Sequence, residues 1–167
     1  MAALQRRIRE FREAIETEIT LLECVATRQN DLRKHLVERN WPELDRVIKD
    51  LERVSGEVAQ IEERRVSLAH AIVAHDPAAQ QPGIRAILRR AGSEERAALN
   101  DAYRRLKIAV LQVQSGARGI KSYATEAIDT TREVLHELFP TDTDGQYARD
   151  GVKQRGAQRA LILDQTL

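Results

Sequence analysis

Residues 44–72, LDRVIKDLERVSGEVAQIEERRVSLAHAI, place apolar side chains at Leu44, Val47, Leu51, Val54, Val58, Ile61, Leu68 and Ile72. Steps of three and four residues are the signature of a helix that packs lengthwise against another helix, and they need neither a sheet nor a pocket. Only Arg65 interrupts the stripe. A charge at a seam position either snorkels to solvent or fixes the register of the helix pair. The chain is therefore read as a bundle of long helices.

Upstream, Leu4, Ile8, Phe11, Ile15, Ile19, Leu22, Val25, Leu32 and Leu36 fall close to one face at helical spacing. They predict a first helix over 2–38. It stops at Asn40-Trp41-Pro42-Glu43. There Asn40 can cap the next helix, Glu43 can close a capping box, and Pro42 is tolerated in the first turn. So short a link predicts a tight reversal, with Trp41 covering the end of the core. The second helix is expected over 42–75. Two prolines and a glycine within 76–83 then end it.

Ile84, Ile87 and Leu88 make a short apolar patch, enough for one or two helical turns closed by Gly92. Ser93 is the expected N-cap of a third long helix, with Glu94 and Glu95 favouring the positive end of its dipole. Its stripe runs through Leu99, Ala102, Leu106, Ala109, Val113, Ile120, Ala124, Ala127, Thr131, Leu135 and Leu138 to a stop before Pro140. Gly116 and Gly119 lie inside it, each costing about 1 kcal/mol against Ala unless close helix approach requires them. At 1.5 Å per residue the three long helices would each measure on the order of 50 to 70 Å, too long to pack except side by side. The expected architecture is an all-α, elongated, antiparallel three-helix bundle over 1–139. A flexible tail over 140–167 is expected to follow, with a sticky end at Leu161, Ile162 and Leu163.

Apolar residues make up 42% of the 167 and aromatic residues only 4%, which suits a thin aliphatic core between solvated faces. Lys plus Arg total 27 against 26 for Asp plus Glu, so the net charge of +1 offers no long-range field to draw in nucleic acid or an acidic membrane. The expected partner is protein. The lone Cys24 excludes an intrachain disulfide framework and fits a reducing compartment. The charged first ten residues do not read as a signal peptide, and no stretch approaches the roughly 20 apolar residues of a membrane span. A soluble, cytoplasmic protein is expected.

No catalytic constellation stands out. His70 and His75 are five apart, on different helix faces, and His35 and His136 lack neighbours at ligand or triad spacing. Neither a phosphate loop nor a nucleophile elbow occurs, so no enzyme, metal or cofactor is expected. Arg6-Arg7, Arg64-Arg65, Arg89-Arg90 and Arg104-Arg105 could touch phosphates, yet nearby acids dilute each pair. Solvated helix faces with weak ion pairs are the expected reading.

Beyond the Leu138-Phe139-Pro140 stop, Tyr147-Ala148-Arg149-Asp150-Gly151 forms a Y-x-x-D-G element. Together with the Leu-rich first seam, the polar reversal, and a second helix with the Glu/Arg-rich stretch Ile61-Glu62-Glu63-Arg64-Arg65, it resembles the FlgN-type flagellar export chaperones. The likeness covers nearly the whole chain. It implies a cytoplasmic chaperone of type III export that binds hook-filament junction proteins by their helical terminal regions and delivers them to the export gate. The candidate client surface is the third helix, through Leu106, Val110, Val113, Ile120, Ile128 and Leu135, although each of these could equally serve the intramolecular core. The resemblance also implies that Tyr147 docks on the cytoplasmic platform of the gate, with Asp150 and Gly151 shaping the turn. A self-associating structural coiled coil with no client is the rival reading.

Overall fold

The computed structural model describes residues 2–74 and 83–139, and within them the chain is all helix, without strands. The helices are α1 (Ala2–Glu38), α2 (Trp41–Val73), α3 (Ile84–Arg90) and α4 (Ser93–Leu138). The chain divides into a unit over Met1–Tyr123 and a second over Ala124–Leu167. His75 and the expected tail over 140–167 lie outside the described residues.

α1 buries Ile8, Phe11, Ile15, Ile19, Leu22 and Val25, the stripe its spacing announces. α2 meets it with Val47, Val54, Ala69, Ile72 and Val73. These two helices are the closely packed pair. Their polar contacts run in opposite order along the two helices: Arg28 to Asp50 at 3.2 Å, Glu18 to Arg65, and Arg7 to the Ala71 carbonyl at 3.3 Å. α3 adds Ala86 and Ile87, and α4 adds Leu99, Ala102, Leu106 and Ala109 to the same core. Full burial of a large aliphatic side chain is worth about 1.5 to 3 kcal/mol, so this cluster dominates the stability of the first unit.

The α1–α2 link is an arginine-built Schellman turn. Arg39 adopts the left-handed region at φ 55°. Its N–H donates to the Leu36 carbonyl at 3.3 Å, and the Asn40 N–H donates to that of His35 at 2.9 Å. Asn40 then caps α2 by accepting from the Glu43 N–H at 3.5 Å. Glu43 instead pairs with Arg46 at 2.7 Å, so only half of the expected capping box forms. Trp41 does not cover the core. It is 60% exposed, because neither α1 after Gln29 nor α2 before Val47 has a buried residue for an indole to shield.

Arginines satisfy the carbonyls that end α2 and α3. Arg90 donates to Ile72 at 2.9 Å, while Arg96 donates to Leu88 at 2.8 Å and Ala91 at 3.1 Å. Arg90 and Arg96 thus act as backbone caps, beyond the weak surface pairing expected of arginine-rich faces. α4 begins one residue earlier than expected: Gly92 takes the cap position, its carbonyl accepting the first helical bond, from Arg96, and Ser93 is already helical.

α4 joins α1 through side chains. Arg12 lies 3.3 Å from Glu95, and Arg105 bonds Glu16. The Glu16 hydrogen bond, followed by that carboxylate's charge and Asp101, raises the Arg105 pKa. Gly116 lies against the Gln29 side chain, where a Cβ would collide with the amide. The apolar stripe of α4 is buried only as far as Ala109, half-buried at Val113 and Ile120, and solvent-facing from Thr125 onward. The expected core stripe therefore does not extend to Leu138. α1 has only nine residues left after Gln29, the neighbour of Gly116.

Candidate helix-docking groove

Within the first unit, α1, α2 and α4 enclose an open groove of about 550 Å³. α1 supplies Glu18 and Leu22, and α2 supplies Val58, Glu62 and Arg65. α4 contributes Tyr103, Leu106 and Lys107, then Val110, Leu111 and Gln114. Leu22, Val58, Leu106, Val110 and Leu111 make its aliphatic wall, and its buried charge is concentrated at one place.

That place is the Glu18–Arg65 pair. Glu18 is 4% exposed although it lies among the apolar positions of α1. Arg65 Nε donates to its Oε2 at 2.5 Å and Nη2 to its Oε1 at 3.5 Å. Nη2 also lies 3.6 Å from Glu62. Of the two roles open to a seam arginine, this one ties α2 to α1 rather than snorkelling away. A charged pair held so far from water needs matched geometry, which a two-point guanidinium fork supplies. At the rim, Lys107 sits 4.9 Å from the centroid of the Tyr103 ring, a cation–π contact that orders both side chains.

The six expected client residues on α4 separate. Leu106 is 5% exposed and belongs to the core, where it also floors the groove. Val110 is half-buried and lines the groove wall. Val113 is half-buried against the core and Ile120 is half-buried farther along. Ile128 and Leu135 belong to the second unit, each 51% exposed. There they share an exposed apolar face with Val134 and Leu138. Tyr147, Asp150 and Gly151 lie outside the described residues.

Sequence reading missed Glu18, Tyr103, Lys107 and Leu111. Tyr103 and Lys107 do stand at i, i+4, a spacing that could have paired them. Leu111, 59% exposed, lies off the stripe, and nothing local marks it.

No group of acids, histidines and cysteines among the described residues could hold a metal ion. None of the described helices is long and apolar enough to cross a membrane. No curated protein and no solved structure gives a significant match to the chain. A family model described as FlgN protein matches residues 1–155, spanning every described helix and the Tyr147 element. The chain belongs to the FlgN family, which implies a flagellar export chaperone role.

Proposed function

We propose that this chain is a non-catalytic, cofactor-free cytoplasmic chaperone of flagellar type III export, working as an antiparallel, coiled-coil-like bundle of its three long helices. It binds hook-filament junction proteins by their helical terminal regions, keeps them from associating prematurely, and hands them to the export gate. The observation that carries this reading is the groove bounded by Leu22, Val58, Leu106, Val110 and Leu111, whose aliphatic walls suit the apolar face of an added amphipathic helix. Val113 and Ile120 extend the client contact along α4, and Ile128 and Leu135 give the second unit an apolar contact of its own. Tyr147, with Asp150 and Gly151, docks the loaded chaperone on the cytoplasmic platform of the gate.

The test is thermal melting of the full chain with excess hook-filament junction protein. A ligand that binds only the folded state raises the melting temperature by mass action. An unchanged temperature would count against the pairing. Replacing Tyr147 by Ala should impair gate docking and leave client binding intact, whereas equal loss of both would refute that division of labour.

The exposed face of Ile128, Val134, Leu135 and Leu138 supports a second reading, in which the chain self-associates through this seam and has no client. Light scattering separates the two. A scaffold gains mass with its own concentration, while a chaperone forms a defined complex with its client.

A further inference from the structure

Charge is unevenly distributed in the first unit. Residues 2–12 and 83–96 together hold eight arginines against three glutamates, although the whole chain has a net charge of only +1. The fold brings these two segments to one place. Ile8 and Phe11 share a core with Ala86, Ile87 and Ala91, and Gln5, Ile8 and Arg9 face Gly92–Glu95 across a cavity of about 350 Å³. Two of the three glutamates are matched locally, Glu10 by Arg6 and Glu95 by Arg12, each at 3.3 Å. An arginine surplus remains at the surface.

Its focus is a shallow concavity of about 270 Å³ lined by Arg85, Leu88, Arg89 and Arg96. The three arginines are exposed and Leu88 is half-buried. Arg96 is fixed by its bonds to the Leu88 and Ala91 carbonyls, which occupy two of the five N–H groups of a guanidinium. The cations here are all arginine, whose planar fork matches a carboxylate at two points and is presented at little entropic cost when already held.

We propose that this surface docks an acidic protein segment, with Asp or Glu carboxylates seated against Arg85 and Arg89 beside the fixed Arg96 and a methylene stem on Leu88. Other anionic partners fit less well. α3 keeps Ala86 and Ile87 buried and Ile84 and Leu88 half-buried, so it offers no apolar face to insert into a bilayer. Glu94, exposed in the first turn of α4 two residues before Arg96, breaks the positive run that a phosphate backbone would track. The concavity shares no lining residue with the α4 groove, so this contact is separate from client binding.

The test uses the full chain and a fluorescently labelled deca-glutamate peptide, followed by anisotropy. The expected result is saturable binding that weakens at least about tenfold between about 25 and 200 mM NaCl as screening sets in. Arg85→Glu with Arg89→Glu should cost at least a further tenfold at low salt, with unchanged circular dichroism and melting temperature. The milder pair Arg85→Gln with Arg89→Gln should show an intermediate loss, and it carries the test should the reversed charges disturb folding. The proposal is overturned if the wild-type chain ignores the peptide or if the folded variants bind it equally well. It is also overturned if a DNA duplex or phosphatidylserine vesicles bind more tightly through the same two arginines.

Discussion

Arg65 reaches 47 residues back along the chain to bond the Glu18 carboxylate, and the acceptor is 4% exposed. The pair fixes how α2 registers against α1 and sets the buried charged point of a groove that Glu62 and Lys107 also line. Removing Glu18 leaves Arg65 only the exposed Glu62, 3.6 Å away. Glu18→Ala is expected to cost about 2 to 4 kcal/mol, below the largest buried-pair losses because Arg65 keeps some contact with water. Glu18→Leu combined with Arg65→Met should recover most of that loss. Urea denaturation of the singles and the double, read as a cycle, measures the coupling.

Arg39 holds a left-handed backbone that strains any residue with a Cβ. Arg39→Gly should therefore stabilise the chain by about 0.5 to 1 kcal/mol, whereas Arg39→Val should destabilise it by at least as much. Melting temperatures of the two variants check the sign.

Glycines in α2 and α4 divide by what surrounds them. A Cβ at Gly56 or Gly119 meets nothing within 4 Å, so Ala at either position should add about 0.5 to 1 kcal/mol from helix propensity alone. At Gly116 the same Cβ strikes the Gln29 amide, whose Oε1 is buried without a hydrogen-bond partner. Gly116→Ala should gain less than Gly119→Ala. In a Gln29→Ala background the difference should shrink, which thermal melts on the four variants would reveal.

Leu111 is 59% exposed yet lines the groove, so it separates binding from folding. Leu111→Glu should shift unfolding by no more than about 0.5 kcal/mol, the usual range for a surface change. It should weaken capture of a hook-filament junction protein at least tenfold, about 1.4 kcal/mol, as read by calorimetric titration. Leu106→Glu should instead unfold the first unit, since that side chain is 5% exposed in the core.

The helices were legible because their apolar periodicity is local: 44–72 specifies α2, and Ile84 with Ile87 marks α3. Glu18 was not, since a glutamate beside Ile15 and Ile19 reads as the edge of a solvated face until its partner arrives from another helix. Trp41 was misplaced because a large indole implies burial only where a core exists to receive it. Along α4 the seven-residue rhythm persists past the point where burial ends, and rhythm alone does not reveal whether a neighbour is present. The arginine pairs looked diluted along the chain, yet folding gathers α1's first turns against α3, a juxtaposition no linear window contains.

At seven residues, α3 is too short to hold a helix unaided. Its grip on the molecule is a latch: Ile87, 1% exposed, below, and the guanidinium of Arg96 clasping the carbonyl end. Whatever loosens that clasp leaves the seven residues held by their buried apolar side chains and the Arg90 bond to the Ile72 carbonyl. Amide hydrogens at Ile87 and Ala91 should accordingly exchange as one cooperative group, earlier than those of Ile15 and Ile19.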